Sequence, residues 1–256
     1  MFSHGAHAQT PPVLIGEMTQ GSLIRGKTQP NTSVWLNGES LDVSSDGHFV
    51  FGFGRDANLS HTLEWEFMGK KASLPLTLAQ REYNIDRIEG VEQKYVSPPD
   101  EVLARIRQDN RKIAKARAVS SNLQDFLDDF IIPAKGRISG VYGSQRVFNG
   151  QPKRPHFGLD VANSVGTPVI APAGGVISLA DDDMYYSGGT LIMDHGFGVS
   201  STFIHLSKIH VVEGQRVEKG ELIAEIGATG RVTGPHLDWR INWYKERLDP
   251  ALLLRE

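Results

Sequence analysis

The chain has 256 residues, 39% hydrophobic and 22% charged, with a formal net charge of −3. These are the proportions of a globular protein with room for one large domain or two small ones; they make no electrostatic case for nucleic acid, and no window approaches the roughly 18 uninterrupted apolar residues of a membrane span. The absence of cysteine excludes disulfides, thiolate-held zinc and thiol catalysis, and leaves His, Asp and Glu as the donors for any metal.

At the N-terminus, Ala6-His7-Ala8 before Gln9 has the A-x-A form that ends secretory signals. Residues 1 to about 8 therefore read as the remnant of an exported precursor. Short apolar runs broken by turn residues follow. Ser33-Val34-Trp35-Leu36 leads into Asn37-Gly38, and Ser45-Asp46-Gly47 precedes His48-Phe49-Val50-Phe51. Asn-Gly and Asp-Gly between such runs are hairpin signals, and strands at this spacing predict a small β-sandwich over residues 11–80. The segment resembles the Ig-like modules beside bacterial surface and cell-wall enzymes and carries no ligand constellation, so its expected role is spacing or docking.

Residues 81–135 are expected to form a helical linker. Pro98-Pro99-Asp100 offers a helix start, with Asp100 as the cap. Val102, Leu103, Ile106, Ile113 and Ala116 recur at helical spacing among Arg105, Arg107, Arg111, Lys112, Lys115 and Arg117. A basic helix can face nucleic acid or membrane, but Asp125, Asp128 and Asp129 stand ready to neutralise this one as a solvated linker. Leu123, Phe126, Leu127 and Phe130 extend the helical pattern to Pro133.

From residue 136 to 256 the texture is β again, rich in Gly and β-branched residues, with no long helix. Five of the nine histidines lie between positions 156 and 236, a clustering that points to a metal. If residues 156–161 were a strand, Phe157, Leu159 and Val161 would face the core. His156 and Asp160 would share the other face, with Gly158 leaving room between them. Along residues 236–241 the same alternation puts Leu237, Trp239 and Ile241 inside and His236, Asp238 and Arg240 together on the opposite side. His205 is a single strand histidine. Asp194 and His195 read as structural turn residues, and His210 and Asp181 to Asp183 as solvent-facing loop groups.

His156-Phe-Gly-Leu-Asp160, Gly188-Gly189-Thr190 to His195-Gly196, Phe203-Ile-His205-Leu-Ser207, Gly214 to Gly220, Gly227-Ala-Thr-Gly230 and Gly234-Pro-His236-Leu resemble, in order, the motifs of the lysostaphin/LytM-type peptidoglycan endopeptidases. The resemblance covers about residues 136–245. It implies a mainly β fold whose C-terminal antiparallel domain is barrel-sandwich hybrid-like. It also implies a Zn2+ ion on His156, Asp160 and residue 238, with His205 and His236 as the catalytic pair. The expected reaction is hydrolysis of peptide cross-links by a metal-activated water, on peptidoglycan stem peptides in the periplasm or elsewhere in the envelope. The family pattern has His at the position of Asp238. Asp238 either binds the metal through carboxylate oxygen, or marks a degenerate, non-catalytic regulator that partners other cell-wall hydrolases. Arg146 and Arg154 could reach substrate carboxylates. The H-E-x-x-H helix of other zinc proteases is absent, so no glutamate on such a helix serves as the base. The Gly214–Gly220 stretch also resembles lipoyl and biotinyl carriers, but no modifiable Lys stands in their sequence context.

Overall fold

The structure is a computed structural model that describes residues 10–88 and 100–254. The expected cleavage remnant around Ala6 to Ala8 and the Pro98-Pro99 helix signal lie outside those residues.

The first seven strands form two antiparallel sheets. β1 (Val13–Ile15), β2 (Leu23–Lys27) and β5 (His48–Gly52) make one. β3 (Ser33–Leu36), β4 (Glu39–Leu41), β6 (Ser60–Phe67) and β7 (Lys70–Thr77) make the other, in the order β4-β3-β6-β7. Asn37 and Gly38 both have positive φ, 52° and 82°, as a two-residue hairpin turn requires for its twist to match that of the strands. Ile24, Phe49 and Phe51 of the first sheet share one buried cluster with Val34, Leu63 and Trp65 of the second, the packing of a sandwich.

β8 (Ile85–Ile88) lies inside the segment expected to be helical and pairs in parallel with β10 (Gln145–Phe148), which also takes β11 (Gln151–Pro152). Helix α1 runs from Leu103 to Arg117. Val102 occupies its N-cap position with no side-chain cap, and Asp100 sits in a preceding 3-10 turn. The helical pattern does not continue through Leu123 to Phe130. Only a 3-10 turn forms at Asp125–Leu127, because Phe126 and Phe130 are drawn into the C-terminal core. Their rings meet Phe197 and His195 at 5.2 and 5.0 Å, and such tertiary contacts override helical propensity. Acids outside the linker pair with α1. Lys112 pairs with Asp181 at 2.6 Å and Arg105 with Asp183 at 2.8 Å, while Asp125 holds Arg216 through two bonds of 2.6 and 2.7 Å.

The remaining strands are β9 (Arg137–Gly140), β12 (Leu159–Ala162), β13 (Pro168–Ile170), β14 (Gly175–Met184), β15 (Gly188–Gly196), β16 (Val199–Ile209), β17 (Arg216–Val217), β18 (Leu222–Ile226), β19 (His236–Trp243) and β20 (Glu246–Leu248). They form a ten-stranded sheet along the path β17-β14-β15-β16-β19-β12-β9, with β18 joining β13 to β16 and β20 beside β19. The protein is mainly β, as expected, and among the described residues this sheet does not close into a barrel. Leu159, Val161, Phe203, Leu237, Trp239 and Ile241 fill the core on one side of the sheet. On the opposite side α1 docks through Ile113 and Ala116 against Leu179, Met184 and Ile192.

Candidate functional site

β19 is the central element of the site. It is paired on one side with β12, where Asp238 lies opposite Asp160, and on the other with β16, where Asp238 lies opposite Ile204. With Leu237, Trp239 and Ile241 fully buried, the two-residue period of a strand turns His236, Asp238 and Arg240 the other way, as the sequence predicts. One donor atom each from His156, Asp160 and Asp238 comes within 4.8 Å of the others. His156 arrives differently from the expectation. The strand begins only at Leu159, so His156 and Phe157 belong to the approach to it, and His156 Nε2 turns back to within 3.2 Å of Asp160 Oδ1. Phe157 is half-buried rather than in the core. Gly158 does not separate His156 from Asp160 but faces Asp238, since a Cβ there would stand 2.1 Å from Asp238 Oδ1. Gly140 on β9 does the same for Asp160, with a Cβ position 2.2 Å from Oδ2.

His205 reaches the site through a backbone irregularity. Strict alternation from Ile204, which faces Asp238, would send His205 to the core beside Phe203. His205 instead has φ 68°, and the β16–β18 register shifts just after it. Such a bulge re-aims a side chain. The His205 ring lies 4.9 Å from the ring of His236. His205 Nδ1 is 2.9 Å from Thr229 O and His236 Nδ1 is 2.9 Å from Gly234 O. Each Nδ1–H therefore donates to a carbonyl, and each Nε2 is left as an acceptor. Burial lowers the pKa of His205, which favours the neutral base.

The electrostatics centre on Asp238. Burial works to raise its pKa, but the Arg240 guanidinium more than offsets this, with help from His156 and His205, and the carboxyl stays below its ordinary value. Arg240 Nε and Nη2 donate to Asp238 Oδ1 and Oδ2 at 2.9 and 2.5 Å. Burial also disfavours the charged ring of His156, yet Asp160 and Asp238 hold its pKa above the ordinary value. That is the response of an imidazole packed between two carboxylates.

These residues fit a divalent cation. His156 Nε2 and Asp160 Oδ1 are buried, face each other at 3.2 Å and make no well-formed hydrogen bond to any other group, so a cation that takes both as donors would complete them. Asp238 accepts both Arg240 bonds and still has a second lone pair on each oxygen. Two carboxylates would cancel the two charges of a Zn2+ ion, and Arg240 returns one. Sequence reasoning placed Arg240 on this face but missed its grip on Asp238. An Arg two residues from an Asp on a strand was the available signal.

His195 is structural but lies in β15, not in a turn. Its Nδ1 is 2.6 Å from Gly174 O and its Nε2 2.7 Å from Ser201 Oγ, which also accepts from Trp239 Nε1 at 3.3 Å. Asp181 to Asp183 lie on β14 rather than in a loop. His210 is half-exposed and meets Glu225 at 3.0 Å. Arg146 is exposed on β10.

Three converging His and Asp donors, with two more imidazoles beside each other on an antiparallel sheet, match the three-donor sets of hydrolytic metal centres. Residues 154–250 match the model of Peptidase family M23, and this part of the chain is an M23 peptidase domain. The chain is 35% identical over 143 residues to the peptidoglycan DD-endopeptidase ShyA of Vibrio cholerae, covering 55% of this chain and 32% of that one. It is 30% identical over 235 residues to an uncharacterized metalloprotease of Haemophilus influenzae, covering 89% and 47%. The chain thus spans less than half the length of these curated relatives. A crystal structure of a peptidase M23 from Pseudomonas aeruginosa superposes with a TM-score of 0.71 at 26% identity, covering 93% of this chain and 95% of that one.

Proposed function

We propose that the protein is a zinc-dependent endopeptidase that hydrolyses peptide cross-links of bacterial peptidoglycan in the periplasm or elsewhere in the envelope. The observation that carries this reading is the convergence of His156, Asp160 and Asp238 on one point. The naming of ShyA as a peptidoglycan DD-endopeptidase supports the substrate class, and no described helix is long and apolar enough to cross a membrane. Residues 11–80 would act as a spacing or docking module, 81–135 as the connection and 136–256 as the hydrolytic part.

A Zn2+ ion held by His156, Asp160 and Asp238 would supply a Lewis acid beside the scissile carbonyl. His205 and His236, with Nδ1 committed to Thr229 O and Gly234 O, present Nε2 as the proton-handling atom. One takes a proton from the attacking water and the other delivers one to the leaving amine. Arg240 holds the Asp238 carboxylate in a fixed plane through two bonds.

The test is a digestion of purified peptidoglycan by the zinc-loaded chain, with released muropeptides separated by chromatography and zinc measured on the same protein. Stoichiometric zinc and cleavage, both lost in Asp160→Ala, are expected. A degenerate regulator of other hydrolases, the reading that Asp238 in place of His keeps open, predicts neither zinc nor cleavage.

A further inference from the structure

Four guanidinium groups gather beside the candidate metal centre, and three of them have no acid. Arg240 is bonded to Asp238. Opposite Arg240 on β16 is Thr202, whose Oγ1 accepts a 3.0 Å bond from Arg117 at the C-terminal end of α1. Two positions along β19 from Arg240 is Asn242, and its partner on β20 is Arg247, so Arg247 shares the face that bears Asp238 and Arg240. Arg247 and Arg154 both lie over the ring of Phe157, at 5.0 and 5.8 Å, immediately after His156.

Among the described residues neither Arg117, Arg154 nor Arg247 forms an ion pair. The Nε of Arg117 is buried without a hydrogen-bond partner. Burial, and then the neighbouring guanidiniums, lower Arg117 to about 9 and Arg247 to about 10. Arg117, Arg240 and Arg247 are half-buried and Arg154 is exposed, and a folded chain does not gather like charges at partly buried positions without cost. The cost is recovered when an anion binds among them, and the fork of an Arg matches a carboxylate with two parallel bonds.

We infer that Arg117, Arg154, Arg240 and Arg247 form a carboxylate-binding subsite next to the candidate metal centre, which takes a free carboxylate of the peptide being cleaved. The inference rests on the peptidase reading, to which it adds an acidic peptide as the preferred substrate. It also gives α1 a part in recognition, because Arg117 reaches the site from outside the region matched by the family model.

The test uses the full chain and two probes, a stem tetrapeptide with free carboxylates and the same peptide with every carboxylate amidated. Calorimetry should show the free acid binding about tenfold or more tighter to the wild type. The triple variant Arg117→Gln, Arg154→Gln, Arg247→Gln should bind the two alike. The corresponding triple Lys variant, which keeps the charges and guards against loss of folding, should retain most of the preference. Equal binding of acid and amide by the wild type, or a preference that survives in the Gln triple, overturns the subsite. Cleavage is read separately on cross-linked dimers of the two peptides. Acid-selective binding without cleavage sinks the peptidase reading and leaves the subsite standing. Cleavage with equal kcat/KM for acid and amide dimers does the reverse.

Discussion

A methyl group added at residue 158 should dislodge one carboxylate of the candidate metal centre and press lightly on the neighbouring strand. Gly158 does not have a positive φ, so alanine is compatible with its conformation. Its Cβ would stand 2.1 Å from Asp238 Oδ1 and 2.9 Å from Trp239 O, whereas a carbon and an oxygen rest at roughly 3.3 Å or more. Trp239 is fully buried and its backbone lies within the β12–β19 pairing, so the carboxylate must yield by about 1 Å. A shift of that size carries the 2.9 Å bond from Arg240 past the range of a hydrogen bond. Loss of a buried, doubly bonded charge pair costs about 2–4 kcal/mol, less if Arg240 follows. Metal sites tolerate donor displacements of only about 0.2 Å, so zinc affinity should fall about 10- to 100-fold. Competition against a chromophoric chelator measures the affinity, and urea unfolding of the metal-free protein measures the stability. Zinc affinity within about twofold of wild type, in a folded Gly158→Ala protein, would refute the reasoning.

Other outcomes follow from the same geometry. Asp238→Ala removes a donor and leaves Arg240 without its carboxylate, so zinc binding should be lost and unfolding stability should drop by about 3 kcal/mol; a calorimetric scan of the metal-free protein checks the second part. His195 is fully buried and its pKa is lowered from 6.5 to about 4 by burial. The unfolded chain then binds the extra proton first, and stability falls as pH drops from 6.5 towards 4, by at most about 3 kcal/mol. His195→Asn should flatten this part of the wild-type slope in urea titrations at pH 7 and 4.5, and equal slopes would contradict the assignment. Ala116→Glu places a carboxylate against Leu179, Met184 and Ile192 and should unseat the end of α1 at a cost of about 2–4 kcal/mol. Limited proteolysis should then cut between residues 118 and 124 faster than in wild type.

The period-two pattern of residues 236 to 241 was readable because the sheet there is regular and one face is buried. The same arithmetic misplaced Phe157 and Gly158, because the strand it assumed does not begin until Leu159. His205 was readable as a histidine on a strand, but its aim depends on a left-handed residue and a register shift that no side-chain pattern announces. The aromatic spacing from Leu123 to Phe130 mimics a helix, yet those rings answer to Phe197 and His195, more than sixty residues away in the chain. The partners of α1 were equally invisible, since nothing local links Lys112 to Asp181 or Arg117 to Thr202. The two hairpin glycines at 38 and 47 were legible because their conformational demand is local.

The seam between the halves bears on how the chain can be handled. Leu23 and Val50 from the first sheet belong to the same buried cluster as Leu159, Trp239 and Ile241. Tyr244, just past the end of β19, donates to Asp42 at 2.8 Å, and Arg81 meets Asp249 at 2.8 Å. An excised fragment beginning near residue 136 would carry a raw apolar scar along the very strand that presents Asp238. Such a fragment is a poor surrogate for the intact molecule, and a feeble one would say little about the native site.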